Sequence, residues 1–159
     1  MSLPSLLRTA QGADSPPVAT SPRLLIVATD WDKELRGAAY VIERSRRSGP
    51  LRVDVLYASA PIIAWRMLRF WAYARVISWQ REQGERLLRA YRDRLNEAGI
   101  APTCHLRLDE PKKVITRLAT EIGAECVVLS TPPTQLPPFG YWWELHKIIR
   151  QSGLPIVLA

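Results

Sequence analysis

Two histidines, two cysteines and a few neighbouring carboxylates are what the chain offers for nucleophilic, acid–base or metal chemistry. Cys104 and His105 are adjacent and make the nearest approach to a nucleophile with its base, but they lie in TCHLRL, which reads as a short strand. Neighbouring strand residues point to opposite faces, so thiol and imidazole do not meet. His146 stands beside Lys147 and Arg150, where a cation complements the carboxyl end of a helix. Two histidines this far apart assemble no metal set, and cysteines 104 and 126, each inside an apolar run, read as small hydrophobes rather than as a disulfide or zinc framework. The carboxylate pairs Asp30 with Asp32 and Asp109 with Glu110 both stand at helix starts, where acids are stabilising in any case. No P-loop, G-x-S-x-G or H-E-x-x-H occurs. The expectation is a protein that is not an enzyme and that carries neither metal nor resident cofactor.

What must position these residues is one domain. The chain has 159 residues, 47% of them hydrophobic, enough for a single buried core. Thirteen prolines against eight glycines imply firm stops between short elements. Residues 1–22 are rich in Ser, Pro and Ala without periodicity and read as a flexible tail, leaving 23–159 as the folded domain. The tail has no continuous apolar stretch of the kind a secretory signal needs, so a cytoplasmic location is expected. The net charge of +7 comes from 22 basic and 15 acidic side chains spread over most of the chain. Such dispersal reads as solvated surface; a nucleic-acid partner is not expected.

Leu24–Ala28 (LLIVA) is a continuous apolar run of strand length, as in a parallel sheet covered on both faces. Asp32 is placed to cap a helix carrying Leu35, Ala38, Ala39 and Ile42 on one side, ending near Gly49. Leu51–Ala58 is the second strand, its polar Arg52 and Asp54 confined to its beginning, where an edge-ward strand tolerates them. A helix follows over Val76–Ala98 with Gly99 as its stop, then a strand over Thr103–Leu108 and a helix opened by Pro111 and closed by Gly123. Cys126–Leu129 is the fourth strand, Tyr141–Ser152 a helix, and Pro155–Leu158 the fifth strand. Strands alternating with crossover helices predict an α/β fold, a doubly wound five-stranded parallel sheet. Ligands in such sheets bind beyond the carboxyl ends of the strands, which directs attention to Asp30–Asp32 and Ser130–Trp143.

Taken together, LLIVATD ending at Asp30, LDEPKKVI, GAECVVLST at Gly123–Thr131 and SGLPIVLA resemble the universal stress protein family over residues 23–159. The resemblance implies a flavodoxin-like sheet in the order 3-2-1-4-5 with helices on both faces, and homodimers formed through the last strand, here Leu154, Ile156, Val157 and Leu158. It also implies ATP binding in some members, through G-x-x-G after strand four and a later glycine followed by Ser or Thr. In this chain the first two glycine positions hold Ser130 and Pro133, and the later pair is Trp143-Glu144 or Trp142-Trp143, depending on the anchor. Glycine lets successive backbone N–H groups approach a phosphate, whereas proline has no N–H and indoles crowd the approach. Tight ATP binding is therefore not expected. Asp30 matches the acid that the family places near adenine, although an Asp at a strand end also reads as a cap for the next helix. A small-ligand or nucleotide pocket, if present, would draw on Asp30, Ser130 and Thr131.

The segment Pro61–Gln80 is unusual. It holds Trp65, Trp71 and Trp79 with Phe70 and Tyr73, and drawn as a helix it gathers Arg66, Arg69, Tyr73 and Gln80 on one narrow face. Three arginines within Pro61–Trp79, at about 2.5 kcal/mol or more each at bilayer depth, exclude a membrane span. Trp, Tyr, Met and Arg are enriched at subunit contacts, so Trp65, Phe70 and Trp71 read as interface or core, with an unidentified protein partner possible; an anionic membrane surface ranks below that. Function then reads as a dimeric binding or regulatory module. The alternatives are a nucleotide-binding stress protein with a divergent loop and a membrane- or transporter-associated regulator.

Overall fold

A computed structural model describes residues 21–61, 70–131, 147, 149–150 and 153–159, with the backbone alone at 70–72. Trp65 and residues 132–146, including His146 and the tryptophans at 142 and 143, lie outside the described residues, as do the side chains of Phe70 and Trp71.

The apolar run at the start of the domain forms strand β1 (Arg23–Ala28), which runs parallel to β2 (Arg52–Ala58) on one side and to β4 (Cys126–Leu129) on the other. Strands β3 (Thr103–Arg107) and β5 (Ile156–Leu158) complete a five-stranded parallel sheet in the order β3-β2-β1-β4-β5. Alternation along β1 divides the core. Leu24, Ile26 and Ala28 face helices α1 (Arg36–Ser48) and α2 (Phe70–Glu97), which contribute Ala38, Val41, Leu88, Tyr91 and Leu95. Leu25 and Val27 face α3 (Pro111–Ile122), which contributes Val114, Ile115, Leu118 and Ala119, together with Ile149. With both faces covered, β1 and β4 have no use for polar residues; each buried aliphatic side chain contributes about 1.5–3 kcal/mol. The doubly wound architecture and its strand order are as expected.

The differences fall where side chains from distant elements intervene. The helix expected from Asp32 starts at Arg36, because residues 29–35 first make two turns, the Asp32 amide donating to the Thr29 carbonyl (3.1 Å) and the Leu35 amide to the Asp32 carbonyl (3.2 Å). Leu35 sits in the left-handed region at φ 53°, the one non-glycine among the described residues to do so. Helix α2 begins at Phe70, earlier than Val76. Gln80, drawn on a narrow face with Arg66, Arg69 and Tyr73, is buried and donates to the Ala60 carbonyl (3.0 Å) and to Ser59 Oγ (3.3 Å), while Trp79 is 54% exposed.

Asp54 is the largest correction. Strand β2 is interior to the sheet, and Asp54 is 1% exposed rather than tolerated at an edge. The Arg23 guanidinium donates to both of its oxygens (2.7 and 3.0 Å), and His105 Nε2 lies 2.8 Å from Oδ1. A buried carboxylate is stable only when it is paired and hydrogen-bonded, and this one is held by one strand on either side.

Candidate functional site

The carboxyl ends of β1 and β2 and the first turns of α3 enclose a cleft of about 260 Å³. Val27, Ala28, Ala58, Pro111 and Ile115 form its apolar walls; Thr29, Asp30, Trp31, Tyr57 and Ser59 bring polar atoms or an aromatic face. Each polar group is there for a local reason. Thr29 and Asp30 are the first residues past β1, where the sheet stops consuming backbone and side-chain positions. Tyr57 ends the buried part of β2 and packs its ring on Gly84 of α2. The buried Gln80 on α2 donates to Ser59 Oγ (3.3 Å) and so ties the helix to the rim of the cleft, where Tyr57 and Asp30 stand.

Asp30 as a residue is exposed, yet the protein around its carboxyl pushes its pKa up by desolvation, against the lowering effect of the Tyr57 hydroxyl. Burial, and then the Asp30 charge, push Tyr57 up as well. Thr29 is 9% exposed and its Oγ1 has no hydrogen-bond partner among the described residues. A buried hydroxyl left unpaired costs about 1–3 kcal/mol.

Asp30 does not cap α1; Asp32 does. Its Oδ1 accepts from the Arg36 amide (3.0 Å) and its Oδ2 from the Gly37 amide (3.4 Å) and the Tyr91 hydroxyl (2.6 Å), while the Ser130 hydroxyl donates to the same Oδ2. Burial pushes the Asp32 carboxyl up, but these bonds outweigh it and hold its pKa below the ordinary value. The same balance holds Asp54 low: burial raises it, and Arg23 and His105 more than compensate.

Those two directions fix a pH response. A carboxylate whose folded pKa is depressed contributes stability that is present above its unfolded pKa, about 3.9, and lost as pH falls through the folded value. Thermal melts from about pH 6 to about pH 2 are expected to be level at first and to drop below about pH 4. Asp54→Asn should be less stable at neutral pH with a shallower acid limb; an equally steep limb in Asp54→Asn and Asp32→Asn would contradict the assignment.

Of the residues singled out for a ligand, the structure brings only Asp30 to the cleft. The Ser130 carbonyl accepts from Trp31 Nε1 (3.1 Å), and its hydroxyl is engaged by Asp32. Thr131 donates through both its amide (3.1 Å) and its hydroxyl (3.0 Å) to the Ala159 carbonyl, and its own carbonyl accepts from the Arg36 guanidinium. Thr29 and Tyr57 were not legible as lining residues, the signal available being only their place at strand ends, whereas Trp31 fell within the Asp30–Asp32 span to which the sheet topology pointed. Cys104 and His105 do point apart, Cys104 toward α2, where Sγ is 4.0 Å from the Leu88 carbonyl, and His105 toward Asp54.

No family model matches the chain and no curated protein matches it. Solved structures do. A universal stress family protein from Burkholderia pseudomallei has a TM-score of 0.68 at 16% identity, over 90% of this chain and 98% of that one. The universal stress protein UspA of Lactobacillus plantarum has a TM-score of 0.71 at 10% identity, over 88% and 98%. The Archaeoglobus fulgidus universal stress protein in complex with dAMP has a TM-score of 0.59 at 17% identity, over 87% and 97%. Close to nine-tenths of the chain, in the strand order observed here, therefore takes the fold of the universal stress proteins.

Proposed function

We propose that this chain is a universal-stress-protein-like binding and regulatory module that works as a homodimer, takes a small ligand in the β1–β2–α3 cleft and does not hold ATP tightly. The cleft carries the reading. About 260 Å³ lies below the roughly 300–1,000 Å³ usual for drug-sized ligands. Its described lining carries a carboxylate, a phenol and a serine and no lysine or arginine, which does not suit a polyphosphate. The sequence beyond β4 supports the same conclusion, with Pro133 and the tryptophans at 142 and 143 where resemblance asks for phosphate-binding glycines. Function by binding rather than turnover is supported by the separation of Cys104 from His105 and by the commitment of His105 to Asp54.

Calorimetry with ATP and magnesium is expected to give no micromolar Kd, and a micromolar value would overturn the proposal. A thermal-shift panel of ATP, ADP, AMP and cyclic nucleotides tests the second reading, a nucleotide binder with a divergent loop, which the dAMP complex of the Archaeoglobus protein favours. A ligand at 100 times its Kd adds about 2.7 kcal/mol.

The dimer is argued from β5. It forms one edge of the sheet, pairs with β4 alone among the described strands, and leaves Leu158 46% exposed. An open apolar edge invites pairing, and a second copy offers the same edge. Light scattering should report about twice 18.0 kDa, and Leu158→Asp should shift the protein toward the monomer. A strict monomer at micromolar concentration would contradict this. No helix among the described residues is long and apolar enough to cross a membrane; a cytoplasmic site of action belongs to the same proposal.

A further inference from the structure

Helix α2 is longer than the sheet it covers. Its buried residues Gln80, Gly84, Leu88, Tyr91 and Leu95 recur at intervals of three and four and form the line that faces the strands. Gly84 lies against Tyr57 and Leu106, and Gln80, one turn earlier, already bonds Ser59 and Ala60, the residues that follow β2. Carried back at the same spacing, the line passes through Ile77 to Tyr73, which is 42% exposed although it stands on the core side of the helix. Residues 70–79 therefore run past the carboxyl edge of the sheet, for about 15 Å at about 1.5 Å per residue.

What this overhang presents is aromatic and basic. Tyr73, Val76 and Trp79, spaced by three, share one side, and with Trp79 54% exposed the rings of Tyr73 and Trp79 are not spent on the chain's own core. Arg75 and Arg81 are exposed on either side of that row. In sequence the run from Pro61 to Arg81 contains four arginines and no acid; the first acid, Glu82, comes once the helix has reached the sheet. A second copy docked here about a two-fold axis would set these arginines against their own images, whereas an anionic surface complements them. Trp and Tyr, apolar rings with a polar edge, are favoured at the headgroup level of a bilayer, and arginine stems are long enough to hold the guanidinium there.

We propose that the start of α2 is a peripheral membrane anchor: Tyr73, Val76 and Trp79 enter the interface of an anionic bilayer, and Arg75 and Arg81 meet its lipid phosphates. The helix lies in the surface and does not cross it, since no helix among the described residues is long and apolar enough to span. Three apolar side chains and two cations each give weak attachment alone, so binding needs both insertion and charge and weakens as salt screens the charge. The anchor shares no residue with the lining of the β1–β2–α3 cleft or with the β5 edge and depends on neither.

The test is co-sedimentation of the full chain with vesicles of phosphatidylcholine alone and of phosphatidylcholine mixed with phosphatidylglycerol, at low and at high salt, each variant being checked for folding by circular dichroism. The wild type should partition onto the mixed vesicles at least about tenfold more strongly than onto the neutral ones, and high salt should remove most of that difference. Tyr73→Ser with Trp79→Ser, and Arg75→Glu with Arg81→Glu, should each lower partitioning by at least about fivefold. Arg89→Glu with Arg92→Glu changes the net charge equally at exposed positions farther along α2 and should stay within about twofold of the wild type. Absence of low-salt binding to the mixed vesicles overturns the proposal, as does full binding by the serine variant or an equal loss in the Arg89 and Arg92 variant. Should the double serine variant fail to fold, Trp79→Ser alone decides. Self-association that light scattering detects without vesicles and that the serine variant loses, with no vesicle binding, would assign the surface to a second copy and overturn the membrane reading.

Discussion

Asp32→Ala is expected to destabilise the protein by about 3–5 kcal/mol, the range for removing one member of a buried, fully paired polar group. The carboxylate is 1% exposed and takes five hydrogen bonds from three places: the first turn of α1, where the Arg36 side chain adds one to the two amides, Tyr91 on α2 and Ser130 beyond β4. Alanine leaves the Tyr91 and Ser130 hydroxyls buried without their acceptor and uncaps α1, whose own N-cap position, Leu35, has no side-chain bond to offer. Burial and the Asp32 charge both push the Tyr91 phenol above its ordinary pKa, so it stays a donor at every accessible pH and its partner must accept. At about 2–4 °C per kcal/mol for a chain of this size, the melting temperature should fall by about 6–20 °C. Asp32→Asn keeps one acceptor and should lose less; Tyr91→Phe should lose only a fraction. A loss below about 1 kcal/mol in Asp32→Ala, measured by urea denaturation, would mean that the network is replaceable by water.

Gly84 is the second position where a small change should have a large effect. In an exposed helix Gly→Ala gains about 1 kcal/mol from propensity. Here a β-carbon would stand 2.5 and 2.8 Å from ring carbons of Tyr57 and 2.9 Å from Leu106 Cδ1, closer than real contacts allow. Both neighbours lie on interior-facing positions of the sheet and have little room to retreat, so α2 must lift or Tyr57 must turn. Overpacking of this kind costs about 1–3 kcal/mol, outweighing propensity. Gly84→Ala should thus be less stable than wild type and Gly84→Val worse, by about 3 kcal/mol. Because Tyr57 lines the cleft together with Asp30, any ligand found by the thermal-shift panel should also bind these variants less well. An alanine variant more stable than wild type would show that α2 yields.

The sequence by itself determined the element order, and for a physical reason. LLIVA and CVVL are too uniformly apolar to be anything but strands covered on both faces, and α3 is bounded by a proline that fits its first turn and by Gly123 at φ 64°, a conformation glycine adopts freely. These signals are local: each depends on residues within one turn or one strand, and their succession leaves a parallel α/β sheet as the arrangement that buries every apolar face. The resemblance to universal stress proteins added the strand order, which the fold bears out. That Asp30 would line a cleft was legible because the carboxyl end of the first strand is where such sheets leave room for one.

What only the tertiary structure decided is the fate of the polar residues. Asp54 finds Arg23 at a separation of 31 residues and His105 at 51; Asp32 finds Tyr91 at 59 and Ser130 at 98. Periodicity reports one element's average surroundings and assigns a lone Asp or Gln to solvent, since burial without a partner would be costly. Whether a partner exists depends on which strands become neighbours and in what register, and that is settled only when the sheet closes. Gln80, which periodicity put on a face with two arginines, is buried, because Ser59 and Ala60 await it just past the end of β2. Trp31 read as part of a turn and stands across the β1–β4 gap, because the Ser130 carbonyl lies within reach only once β4 has been laid beside β1.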